Sequence, residues 1–210
     1  MPANKITAAK KALSYLETAN TIGIGTGSTV ECLLDLLNDS IWHTKTYCVS
    51  STRTYHAMIK RGFKNIIHSN DIIALDVYID GADWIDSQGV AIKGYGGALT
   101  QEKLLAAMSI LRIAIVEKRK LVPTISGLIA PLPIEVLTIA GSYVTHRLYK
   151  MGARAIYRAG VITDQGFPIL DIYDLPWSDS LEMEHALQII PGVIECGLFA
   201  NESFHVVLSE

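Results

Sequence analysis

A lysine, three glycines, a tyrosine and a glutamate share one short run, Lys93-Gly94-Tyr95-Gly96-Gly97-Ala98-Leu99-Thr100-Gln101-Glu102-Lys103. Glycine costs roughly 1 kcal/mol against alanine in a regular element, so the run predicts a turn leading into a helix. A lysine ammonium at such a turn can sit beside a developing oxyanion, and the glycine N–H groups can serve the same charge. Glu102 falls in the first turn of the predicted helix, with Thr100 as its expected cap. A carboxylate there either complements the helix dipole, worth under about 1 kcal/mol, or acts as a general base. The run alone leaves both readings open.

Two further stretches have comparable potential. Gly23-Ile24-Gly25-Thr26-Gly27-Ser28-Thr29 lies between a predicted strand and a predicted helix. Glycines there let the backbone fold tightly, and N–H groups with hydroxyls can hold an anion such as phosphate. Simple turn chemistry explains the same residues. A dinucleotide loop wants an acidic residue at the end of the next strand, which here ends in Ser50-Ser51, and a Walker loop wants Gly-Lys-Ser/Thr, which is missing. Asp80-Gly81-Ala82-Asp83 closes the predicted strand Ala74-Leu75-Asp76-Val77-Tyr78-Ile79. Two neighbouring carboxylates can divide acid and base roles, because repulsion and burial spread their pKa values; a helix cap plus a turn aspartate is the plainer account. The six histidines have no ligand spacing with one another or with a cysteine, so no metal is called for.

An anion loop, a carboxylate pair, a lysine and a glutamate suit proton abstraction beside a carbonyl in a phosphorylated substrate. Such a reaction needs a base in reach of the carbon acid, charge stabilisation on oxygen, and a phosphate grip. No cofactor is required.

The elements that must position these groups alternate strand and helix in the first half, which predicts a parallel sheet. Residues 5–18 have helical spacing, and strands are expected at 21–25, 46–51, near 65–69, at 74–80 and over 111–116. From about residue 127 the pattern becomes β-α-β-β-α-β: a strand at 134–140, a helix at 142–152, strands at 153–158 and 168–173, a helix at 179–190 and a strand at 192–199. That order is the split βαβ of ferredoxin-like domains. The expected fold class is therefore α/β, a Rossmann-like parallel-sheet domain (1–126 and 200–210) with a smaller α+β ferredoxin-like domain (127–199). The tail Phe204-His205-Val206-Val207-Leu208-Ser209 is expected to return to the first as a strand.

Composition narrows the class further. Of 210 residues, 50% are hydrophobic and 19% charged, with a net charge of −3, which describes a compact folded chain. Lys and Arg number 18 against 21 acidic residues and are scattered, so no nucleic-acid partner is expected. Cys32, Cys48 and Cys196 are odd in number and far apart, as for thiols in a reducing compartment. Residues 1–10 lack the apolar stretch of a signal peptide, and Pro123, Pro131 and Pro133 interrupt the apolar segment 121–141. A cytoplasmic protein with no membrane partner is expected.

Together the stretches G-I-G-T-G-S-T, D-G-A-D, K-G-Y-G-G-A-L-T-Q-E-K, T-D-Q-G and P-G-V-I-E-C-G-L-F-A-N resemble, in order and spacing, the A-type ribose-5-phosphate isomerase family. The resemblance covers nearly the whole chain. It implies interconversion of ribose 5-phosphate and ribulose 5-phosphate in the pentose phosphate pathway, without cofactor, by a homodimer or homotetramer. It further implies that Glu102 shuttles a proton between C1 and C2, that Asp80 and Asp83 handle ring opening and hydroxyl protons, and that Lys93 stabilises an enediolate. Thr26, Gly27, Ser28, Thr29, Gly81, Ala82, Gly94, Tyr95, Gly96 and Lys120 would line the sugar-phosphate site.

Three departures from the family pattern stand out: Tyr95 stands where a glycine is usual, Trp84 where an acidic residue is common, and Val116-Glu117-Lys118-Arg119-Lys120 where A-D-x-S-K is usual. If residue 95 needs φ > 0, tyrosine is strained there. Two alternatives remain open on these grounds, a non-catalytic sugar-phosphate sensor and an isomerase of another sugar phosphate.

Overall fold

The computed structural model describes residues 3–209. Its elements run α1 (Ala3–Leu16), β1 (Thr21–Ile24), α2 (Ser28–Leu34), β2 (Thr46–Val49), α3 (Thr52–Lys60), β3 (Ile66–Ile67) and β4 (Leu75–Asp80). There follow β5 (Trp84–Asp86), β6 (Ala91–Ile92), α4 (Leu99–Ala107), β7 (Ser109–Val116) and β8 (Leu121–Val122). The chain continues through β9 (Leu132–Val136), α5 (Gly141–Lys150), β10 (Arg154–Ile162), β11 (Pro168–Tyr173), α6 (Ser180–Gln188), β12 (Val193–Cys196), β13 (Leu198–Phe199) and β14 (His205–Leu208).

The chain forms two compact units that interleave in sequence. One comprises the residues up to Ala82, Gln101–Leu121 and the segment from Phe204; the other comprises Asp83–Thr100 and Val122–Ser203. The sequence divided the chain at 126–127 and 199–200. The structure groups residues 83–100 with the second unit because β6 pairs antiparallel with β5 on one side and with β13 on the other. No local pattern announces pairing between residues more than 100 apart.

In the first unit a six-stranded sheet runs β14-β7-β4-β1-β2-β3, with every neighbouring pair parallel. β4 and β7 read as apolar runs because parallel strands are covered on both faces; in β4 only Asp76 is less than fully buried. Ile22, Ile24, Leu33, Leu34, Tyr47, Met58, Ile79, Ile113 and Ile115 belong to one core. Each aliphatic buried there contributes about 1.5–3 kcal/mol. The chain leaves β1 toward β2 on one side and returns to β4 on the other, so the loops after β1 and β4 part at a topological switch point. Ligands bind at such points in open sheets. The expected C-terminal strand is β14, which pairs with β7.

In the second unit the sheet runs β10-β11-β9-β12, antiparallel throughout, with α5 and α6 in the β-α-β-β-α-β connection. α6 is capped by Asp179, whose Oδ1 accepts from the N–H of Glu182 at 2.9 Å. The strand expected at 134–140 is shifted, since β9 ends at Val136 and Thr138–Ala140 form a 3-10 turn. The strand expected at 192–199 is two strands, broken at Gly197. There the N–H of Gly197 donates to Pro133 O at 2.7 Å, and its carbonyl accepts from the N–H of Lys93 at 2.8 Å. Among the described residues no helix is long and apolar enough to cross a membrane. The three cysteines are buried and form no disulfide.

Candidate active site

In the first unit the site is built around Asp80, the last residue of β4, which is fully buried. Its Oδ1 accepts from the N–H groups of Thr26 at 3.0 Å and Gly81 at 2.6 Å, and its Oδ2 from the Tyr78 hydroxyl at 2.5 Å. Tyr78 and Asp80 share a face of β4 because side chains alternate along a strand. Burial first, and then the charges of Asp80 and Glu102, push the Tyr78 phenol well above its ordinary pKa. The phenol therefore stays protonated and donates. Glu102 is 4% exposed, in the first turn of α4.

The loop after β1 wraps this carboxyl. Gly25 is held by its N–H to Ile79 O at 2.9 Å, and a β-carbon on it would lie 1.8 Å from Asp80 Cγ. Gly27 has φ +138°, a conformation that L side chains rarely adopt. The Thr26 hydroxyl donates to Ser51 Oγ at 2.6 Å and lies 2.9 Å from Ser50 Oγ and 3.1 Å from Thr54 Oγ1. That side chain is anchored at the end of β2 and the start of α3. Ser28 is exposed and accepts from Lys5 Nζ at 2.7 Å, while Thr29 is buried. Lys120 Nζ donates to Ala82 O at 2.5 Å. Arg119 foremost, with Lys5 and Lys120 adding, holds the Glu117 carboxyl below the usual range.

The second unit carries Asp83, Lys93 and the glycine turn. Asp83 Oδ2 accepts from the N–H of Tyr95 at 2.9 Å. Lys93 is 3% exposed, with Nζ 5.7 Å from the Phe199 ring centroid. Buried lysines are rare and need partners. Within the turn, φ is positive at Gly94 (106°) and Gly97 (79°), whereas Tyr95 is not among the positive-φ residues. The tyrosine is therefore unstrained. Its hydroxyl donates to Pro131 O at 3.0 Å, and the Arg158 guanidinium lies 5.9 Å from its ring centroid. A β-carbon on Gly94 would meet Leu99 Cβ at 3.0 Å, so this glycine is required by conformation and by space, while one on Gly96 would meet nothing.

The helix after the turn starts at Leu99, so Thr100 is inside it and not its cap. The Thr100 hydroxyl donates to Glu135 Oε2, and Thr163 donates to Glu135 Oε1 at 2.5 Å. Local spacing hid this partner, which is 35 residues away.

The structure thus gathers Thr26, Gly27, Ser28, Thr29, Asp80, Gly81, Ala82, Glu102 and Lys120 in one unit, and Asp83, Lys93, Gly94, Tyr95 and Gly96 in the other. D-G-A-D is cut between Ala82 and Asp83, and the glycine run between Thr100 and Gln101. Sequence reasoning missed Lys5, Tyr78, Glu135 and Arg158. Only Tyr78 left a readable sign, its place two residues before Asp80 in a strand.

A buried carboxylate that accepts from a buried phenol at the carboxyl end of a parallel strand, a second buried carboxylate in the first turn of α4, and a glycine loop whose Ser28 accepts from Lys5 define the class: an enzyme equipped for acid–base work on an anionic substrate. Comparison with known proteins makes this specific. Residues 46–210 match the family model described as Ribose 5-phosphate isomerase A (phosphoriboisomerase A). The chain is 39% identical to ribose-5-phosphate isomerase A of Legionella pneumophila (strain Lens), over 97% of this chain and 93% of that one. To the Histophilus somni (strain 2336) protein of that name it is 38% identical, over 97% and 92%. The crystal structure of ribose 5 phosphate isomerase A from Neisseria gonorrhoeae superposes with a TM-score of 0.91 at 32% identity, covering 99% of this chain and 92% of that one. A D-ribose-5-phosphate isomerase structure in complex with phospho-erythronic acid gives 0.89 at 34% identity, covering 98% and 94%. The chain belongs to the ribose 5-phosphate isomerase A family, and it is an isomerase.

Proposed function

We propose that the protein interconverts D-ribose 5-phosphate and D-ribulose 5-phosphate through an enediolate, with Glu102 as proton acceptor. The observation that carries this is the buried Glu102 carboxylate in the first turn of α4, in the unit that also holds buried Asp80. Burial in a low-dielectric setting suits a base that must act on a weak carbon acid. Glu102 removes the C2 proton of the open-chain aldose, the electron pair forms the C1–C2 double bond, and the C1 oxygen takes the negative charge. Glu102 returns the proton to C1 while the proton on the C2 hydroxyl passes to the C1 oxygen, leaving the ketose. Lys93 and the N–H groups of the glycine turn stabilise the enediolate oxygen. Asp80 and Asp83 serve ring opening and the hydroxyl protons. Thr26 to Thr29, with Lys5 and Lys120, grip the sugar phosphate.

The relative solved with phospho-erythronic acid supports a phosphorylated small molecule as the substrate class. The resemblance also carries the reading of a cytoplasmic homodimer or homotetramer in the pentose phosphate pathway, which fractionation and sedimentation measure. The activity itself is tested by incubating purified protein with ribose 5-phosphate in EDTA and quantifying ribulose 5-phosphate. Turnover that chelator leaves intact is expected. A folded protein that turns over another aldose phosphate but not this one would refute the substrate, and one that binds sugar phosphates without converting any would refute the reaction.

A further inference from the structure

The glycine turn is held from behind by a pair of residues that the reaction does not use. Arg158 is on β10 and Asp171 on β11, and Ile156, two residues before Arg158, pairs with Asp171. The register between these strands shifts after Tyr157, and such bulges re-aim side chains. Arg158 Nε donates to Asp171 Oδ2 at 2.9 Å and Nη2 to Oδ1, with the two side chains only 16% and 14% exposed. Nη1 is then left to donate to Gly94 O at 2.8 Å and Tyr95 O at 3.1 Å. Five donors in a rigid fork meet four acceptor atoms, a geometry lysine cannot reproduce.

The Gly94 carbonyl and the Tyr95 N–H belong to one peptide unit, and in a trans peptide they point in opposite directions within one plane. Arg158 pulls on the oxygen at one end, and Asp83 Oδ2 accepts from the nitrogen at the other, at 2.9 Å. Consecutive hydrogen bonds of this kind polarise one another, more so away from water. We propose that Arg158, fixed by Asp171, is a positioning residue for Asp83 and acts through the single peptide joining Gly94 to Tyr95. The conformational freedom of Gly94, at φ +106°, lets this peptide present its two ends to the two side chains. The inference deepens the reading of Asp83 as a site residue and rests on it.

The test combines kinetics with a resonance that reports the peptide directly. In the full-length protein, Arg158→Met is expected to move the Tyr95 amide proton upfield, as Asp83→Asn does, because each removes one end of the chain of hydrogen bonds. Its kcat should fall at least about tenfold with KM within about threefold, and Arg158→Lys should recover part of that loss. In the Asp83→Asn background, adding Arg158→Met should cost little more, since the residue acts through Asp83. Losses that multiply in the double variant, or a Tyr95 resonance unmoved in folded Arg158→Met, would overturn the proposal. Should Arg158→Met not fold, Asp171→Asn replaces it under the same criteria. If Asp83→Asn is as active as the parent, the catalytic reading of Asp83 falls, and the Tyr95 resonance alone decides the positioning claim.

Discussion

The carboxyl carbon of Asp80 occupies the space that a β-carbon on Gly25 would take, 1.8 Å from it, and three donors hold that carboxyl in place. Neither group can yield cheaply, because Asp80 is fully buried. Gly25→Ala should therefore overpack the site and cost about 1–3 kcal/mol. At 210 residues, a loss of that size lowers the melting temperature by roughly 2–12 °C. A thermal melt checks it, and an unchanged midpoint would mean that Asp80 moves freely.

Buried phenols give the protein an alkaline limit. Tyr47, by burial, and Tyr78, by burial and then by Asp80 and Glu102, both have pKa values raised above the ordinary 10.0. The folded state thus holds these protons more tightly than the unfolded chain does. Their stabilisation is complete below pH 10 and is lost as pH rises from there toward the folded values. Each contributes a slope of up to about 1.4 kcal/mol per pH unit. Urea titrations between pH 8 and 11.5 should show stability falling above about pH 10, and less steeply in Tyr47→Phe than in the parent.

Fully buried Glu135 accepts hydrogen bonds from the hydroxyls of Thr100 and Thr163, one on each oxygen. Removing it strands two hydroxyls, so Glu135→Ala should lose about 2–5 kcal/mol in urea unfolding. Glu135→Gln keeps one acceptor oxygen and should lose less. Equal losses would mean that the carboxylate itself, and not the filled volume or the one retained acceptor oxygen, sets the cost.

Lys5 donates to Ser28 in the loop assigned to the phosphate. One charge-assisted hydrogen bond is worth about 1.5–3 kcal/mol, so Lys5→Met should raise KM at least about tenfold. With kcat within about threefold, the effect is uniform binding. Added salt should narrow the difference between the two proteins. A fall in kcat alone would place Lys5 in the chemical step instead.

What the sequence disclosed, and what it hid, follows from how far apart the partners are. The strand ending at Asp80 and the loop at Gly25 to Gly27 were legible because alternation and glycine signals are local. The split of the last strand at Gly197, the hydroxyl partner of Thr100 and the grouping of residues 83–100 were hidden. Each depends on a residue or strand remote in sequence: Pro133 and Lys93, Glu135, and β13 respectively. Tyr95 illustrates the same limit. Sequence allowed for strain at this position, but positive φ falls on Gly94 and Gly97, so the side chain is accommodated without it.

The account stands on Glu102 as the group that moves the proton. Kinetics of ribose 5-phosphate conversion by Glu102→Gln, paired with circular dichroism and calorimetric binding of ribose 5-phosphate, test that claim most directly. The expected result is a folded protein that binds substrate with near-parental affinity and has lost about 10²–10⁴ in kcat, the range of a removed general base. A folded variant that converts substrate within about threefold of the parent rate would show that another group abstracts the proton.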